Sequence, residues 1–156
     1  MTTPSSTVND MFLTRVKDYR LDTIYNTSGS LILNEYLEAW LIDASVEFSD
    51  FCDQDLAYIV SGSSTEGYFT TTLTTKNIVM LSKLMVKYWM AKTVSDLLQM
   101  QNFVTDRDFK SFSSAQNLHA KQEHYNNIKE ELSQDLINYS YKTNDWNNWN
   151  NQIFNS

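Results

Sequence analysis

The sequence predicts a mainly α protein, a bundle of about four helices with a small β-hairpin or ordered loop inserted before the central helix. Pro4 is the only proline and there are 3 glycines in 156 residues, so little stops a helix from running long. Apolar residues recur at steps of three and four over long stretches. The chain is also 42% hydrophobic and 13% aromatic, above what a disordered chain carries. A domain of this length hides roughly 70% of the surface its unfolded form exposes, so its core needs no metal or disulfide.

The first helix is expected over about residues 7 to 19, where Val8, Met11, Phe12, Val16 and Tyr19 keep helical spacing and Ser6 or Thr7 can cap the first turn. RLDTIYNTSGS reads as a connection with Gly29 in its turn. The second helix, about residues 31 to 50, has the clearest stripe: Leu33, Tyr36, Leu37, Trp40, Leu41, Ala44 and Phe48. Ser30 can cap it, and Glu35 and Glu38 suit the positive end of its dipole.

The character changes from Leu56 to Leu73, where LAYIV and GYFTTTL are rich in β-formers and flank SGSSTE. A hairpin this small must lean on the helices or on a neighbouring subunit. The third helix, about residues 75 to 100, is apolar nearly all round and should sit at the centre, capped by Thr74 or Thr75. Its methionines Met80, Met85, Met90 and Met100 are expected as core filler. After the loop QNFVTDRDFKSF, a last helix to about Tyr141 carries a narrow stripe of Leu118, Tyr125, Ile128, Leu132, Leu136 and Tyr139. Residues 1 to 143 thus make one helical domain, followed by a low-complexity Asn/Trp-rich tail at 144 to 156.

Twelve basic against 19 acidic residues leave a net charge of -7, which repels phosphates and anionic lipid and disfavours a dedicated DNA-binding role. Cys52 is the only cysteine, so it can form neither an intrachain disulfide nor a thiolate cage, as suits a reducing cytoplasm. The start, MTTPSSTVND, is not a secretory signal. The apolar stretch from 78 to 100 is interrupted by Lys83, Lys87, Lys92 and Asp96, which makes a membrane span costly. A chain that stays in water is expected.

No catalytic residue, metal or cofactor is expected. His119 and His124 point about 140° apart around a helix and cannot share a metal. Asp106, Asp108 and Lys110 imitate the ligand pattern of a Mg²⁺-dependent nuclease, but that pattern belongs on a sheet and here falls between two helices. A cap-and-turn role with Asp108 accepting backbone amides is the better reading. Lys76, Lys83 and Lys87 share one side of the central helix and are candidates for a basic stripe facing an acidic partner or passing DNA, against a solvated face whose stems cover apolar neighbours. Tyr68 and Phe69 are candidate hairpin contacts. In the tail, Trp146, Trp149, Ile153 and Phe154 are large anchors for a partner pocket, unless the tryptophans fold back on their own helices.

The order of elements, with LEAWLIDASVEF, FTTTLT, NIVMLSKLMVKYWMAKTVSDLLQM and DFKSFSSAQNLHAKQEHYNNIKEELSQDLINYSY in succession, resembles the helical head-tail connector proteins of tailed bacteriophages, also called adaptor, neck or head completion proteins. The resemblance spans about residues 7 to 141. It implies a structural virion protein that assembles as a ring, usually a dodecamer of its own copies, beneath the portal protein. Such a ring extends the DNA channel and offers a platform to the next neck or tail protein. DNA is then a partner only as passing genome, no membrane is involved, and Trp146, Trp149, Ile153 and Phe154 become portal-docking candidates by position. The alternatives are a cytosolic helical regulator that binds one protein partner through the last helix and, least favoured, the nuclease.

Overall fold

The computed structural model describes residues 2 to 62, 65 to 103 and 112 to 143. In chain order these form β1 (Thr3–Pro4), α1 (Ser5–Leu13), α2 (Tyr19–Ser49), β2 (Tyr58–Ile59), β3 (Tyr68–Phe69), α3 (Thr75–Phe103) and α4 (Phe112–Thr143). A mainly α bundle with a small inserted hairpin is therefore the observed class. Among the described residues no helix is long and apolar enough to cross a membrane.

α1 is shorter than the expected 7 to 19. It ends at Leu13 because the chain tightens into a turn, the Arg15 amide donating to the Phe12 carbonyl at 2.9 Å, and Asp18 then opens the next helix. Tyr19, 90% exposed, does not belong to the α1 stripe. Neither Ser6 nor Thr7 caps the helix. Glu66 reaches over from the hairpin, accepting from the Ser6 amide at 3.1 Å, and so meets one of the free amides at the α1 start.

The segment RLDTIYNTSGS, expected as a connection, is mostly helical. Asp18 accepts from the Arg20 amide at 2.9 Å and caps it, and Leu21 buries its side chain. Gly29, at φ 86° and ψ 175°, breaks the rod. That φ lies in the left-handed half of backbone space, which glycine adopts without steric cost, so two helices meet there at a kink. Beyond the kink, Leu33, Leu37, Leu41, Ala44 and Phe48 are buried as their spacing predicts, whereas Trp40 of the same stripe is half-buried and Tyr36, at its edge, is 43% exposed.

The hairpin forms, and it recruits a third strand that its own sequence does not announce. β3 is central: Phe69 pairs with Thr3 of β1 on one side and Tyr58 of β2 on the other, both antiparallel. Pro4 is tolerated because β1 is an edge strand and its missing N–H costs no ladder bond. The hairpin is pinned to α2 through Glu38, which accepts from the Ser61 amide at 2.7 Å, the Ser61 hydroxyl at 2.7 Å and the Tyr58 hydroxyl at 2.9 Å. Burial, followed by that carboxylate, pushes the Tyr58 phenol well above its ordinary range.

α3 is the central helix, packed against α1, α2 and α4. Thr74 caps it, its hydroxyl accepting from the Asn77 amide at 3.3 Å. Leu81, Leu84 and Met85 are fully buried, and Met80 and Met90 nearly so, which makes these methionines core filler; the Met100 side chain lies outside the described residues. α4 docks through Ile128, Leu132, Leu136 and Tyr139. The loop bearing Asp106, Asp108 and Lys110 lies outside the described residues.

Candidate functional site

The C-terminal half of α4 lies along the N-terminal half of α3, and two features meet at that junction. One is a polar cluster beneath α4. Tyr139 ends the buried stripe, so its ring packs edge-on to Phe48 with centroids 5.0 Å apart while its hydroxyl must find polar company. It finds Asp53 Oδ1 at 2.6 Å and Asn77 Oδ1 at 2.8 Å. Asn77 is wholly buried, and its amide nitrogen donates to Gln54 Oε1 at 2.6 Å. Gln54 in turn accepts from the Thr74 amide at 2.9 Å and donates to the Thr72 carbonyl at 3.1 Å. A single phenolic proton serves two acceptor oxygens here.

These contacts set the local charges. The Tyr139 hydroxyl holds the Asp53 carboxyl below its ordinary value, with Asn77 and Lys76 adding to the effect against desolvation. Burial, and then the Asp53 carboxylate, push the Tyr139 phenol well above its own range. Cys52, whose Sγ lies 3.9 Å from the Tyr139 hydroxyl, is pushed up by burial and is no activated thiolate.

The second feature is a cleft of about 340 Å³ on the open side of the α3 and α4 pair. Val79 and Met80 form its apolar floor, and Lys76, Lys83 and Lys142 stand around it. Lys83 is paired with Asp135 of α4 at 2.6 Å. Lys76 lies 3.8 Å from the Tyr139 ring centroid, a cation over an aromatic face. Lys76 and Lys142 are both exposed.

Compared with family models, curated proteins and solved structures, the chain matches none. Its function is read from its own residues.

The three lysines expected as one basic stripe part company in three dimensions. Lys76 and Lys83 border the cleft, while Lys87 turns to α2 and pairs with Glu47, which also accepts from the Tyr88 hydroxyl at 2.7 Å. Of the two hairpin candidates, Tyr68 is 39% exposed and Phe69 is fully buried. Phe69 is thus a core residue and not a contact surface, because β3 is the central strand and its inward face meets the helices. His119 and His124 are exposed. Among the described residues no group of three or more His, Cys, Asp or Glu is placed to hold a metal. Trp146, Trp149, Ile153 and Phe154 lie outside the described residues.

The polar cluster is the part that sequence reasoning missed. Its one legible signal was a tyrosine closing the apolar stripe, since a buried phenol requires a partner. Asp53 and Gln54 are neighbours, but Asn77 and Tyr139 lie far along the chain from them and the four offer no shared motif.

Proposed function

We propose that this protein is a structural connector, assembled as a ring of copies at the neck of a tailed phage between the portal protein and the next neck or tail protein. The observation that carries this reading is the reach of α4. The helix begins at Phe112, but the residues it adds to the core cluster start only at Ile128, so the helix is about 24 Å longer at its start than that cluster. Leu118 and Tyr125 on that arm remain half-buried, and among the described residues before Ile128 none joins the core. A helix prolonged beyond its own core has surface to spend on neighbours.

The net charge of -7 supports the same reading, since a channel wall that repels phosphate lets a genome slide without sticking. A heterologous ring contact that is weak in solution closes on a template, where the effective concentration of neighbours is high. The carboxy-terminal anchors Trp146, Trp149, Ile153 and Phe154 are assigned to the portal.

The test is to mix the purified protein with its cognate portal ring and image the product by electron microscopy. A ring of copies stacked on the portal is expected, and deletion of residues 144 to 156 should weaken binding at least about tenfold. Unchanged affinity after the deletion removes the tail from the proposal. Absence of the protein from purified particles by mass spectrometry removes the neck itself and favours a cytosolic partner-binding role.

A further inference from the structure

A second heptad stripe runs along the outer face of α2. Ile32, Tyr36, Ala39, Asp43 and Val46 of α2 and Asp50, its C-cap, follow one another at alternating steps of four and three, the spacing of a coiled-coil seam, and all are exposed, Tyr36 also packing edge-on against Trp40. Ile32 is 45% exposed and Val46 66%, values that no internal packing accounts for. None of the six borders the α3 and α4 cleft of the same chain.

The stripe and the cleft are complementary. Asp43 of α2 and Asp50, its C-cap, stand one heptad apart, about 10.5 Å along the axis, with Val46 between them. On α3, Lys76 and Lys83 stand at the same separation with Val79 and Met80 between them, and Lys142 of α4 adds a further cation at the Lys76 end. Lys83 is shared with Asp135, so an incoming carboxylate at that end meets a bridged lysine, while one at the other end meets Lys142 and Lys76, which lies over the Tyr139 ring and is exposed. Within a chain of net charge -7, this is an apolar trough with a basic rim facing an apolar ridge with acidic teeth.

We infer that the α3 and α4 cleft of one copy receives the outer face of α2 from a second copy. The ridge lies in the trough as a third helix, Val46 on Val79 and Met80, with Asp43 and Asp50 toward the lysine rim. Because the two surfaces differ, the contact is head-to-tail, and each copy keeps one free trough and one free ridge for further neighbours. The inference rests on the reading above that copies pack side by side, and it names the faces that do so.

Two double variants test it, K76E/K142E in the trough and D43K/D50K on the ridge, each checked for a native circular dichroism spectrum. In sedimentation at up to about 1 mM the intact protein should self-associate weakly, and each variant alone should need at least about tenfold more protein to do so. Mixed together, an intact ridge meets an intact trough and the reversed charges of the other two faces are complementary to one another, so the mixture should associate at about the concentration of the intact protein. Carbodiimide coupling of ¹⁴N and ¹⁵N protein should join Lys76 or Lys142 to Asp43 or Asp50 between chains. An intact protein that stays monomeric, a mixture that does not associate, or coupling through other residues alone overturns the inference. A portal-bound ring whose neighbours meet elsewhere defeats this inference but not the connector; association through these faces in a protein absent from particles does the reverse.

Discussion

Replacing Tyr139 with Phe removes one oxygen from the docked end of α4 and leaves the ring against Phe48. Asn77, wholly buried, then loses the donor 2.8 Å from its carbonyl oxygen, whereas the exposed Asp53 can recover water. An unsatisfied buried acceptor costs about 1–3 kcal/mol, and with Asp53 rehydrated the expected loss is about 1–2 kcal/mol. At about 2–4 °C per kcal/mol for a domain of this size, the melting temperature should fall by about 2–8 °C. Tyr139→Ala, which also empties the ring's place, should lose about 3–5 kcal/mol.

The loss has a pH signature. Asp53 titrates lower in the folded protein than in the unfolded chain, so its contribution is complete above the ordinary aspartate value of about 3.9 and fades as pH falls toward the folded value. The hydroxyl is the largest source of that shift, so the gap between the intact protein and Y139F should narrow below about pH 4. Urea unfolding followed by circular dichroism at pH 7, 5 and 3.5 measures it, with unchanged m-values licensing the comparison. Equal stability of the two proteins at pH 7, or a gap that holds constant down to pH 3.5, refutes the reasoning.

Phe69→Ala should cost about 3–5 kcal/mol, whereas Tyr68→Ala one residue earlier should cost less than about 1 kcal/mol, because the first empties a core site and the second trims a half-exposed ring. Comparable midpoints in urea for the two variants contradict the placement of β3. Gly67→Ala sets a Cβ 2.6 Å from Glu38 Oε1 and against the Tyr58 hydroxyl, so it should cost about 1–3 kcal/mol by forcing the hairpin off α2. Amide exchange should then quicken at Ser61, whose N–H is held by Glu38, and unchanged protection there counts against the anchor.

The sequence by itself determined the helices, because helical periodicity is a local property written every three or four residues. Leu33, Leu37, Leu41, Ala44 and Phe48 of α2, the apolar wrap of α3 with a threonine cap at Thr74 or Thr75, and the seam of α4 from Ile128 to Tyr139 were legible in this way. So was the hairpin, from its β-formers and glycines. Helix ends were less legible, since they depend on partners from elsewhere: Glu66 supplies what Ser6 and Thr7 do not, and Asp18 extends α2 into an expected loop.

Only the tertiary structure decided what meets what. β1 is a strand because β3 lies beside it, and a proline-bearing dipeptide carries no such signal of its own. Lys83 and Lys87 share a helix face, yet one is claimed by α4 and the other by α2. The Asp53, Asn77 and Tyr139 cluster joins residues as far as 86 positions apart. Period and propensity act along the chain, while burial, charge pairing and hydrogen bonding act through space, and the site is made of the latter.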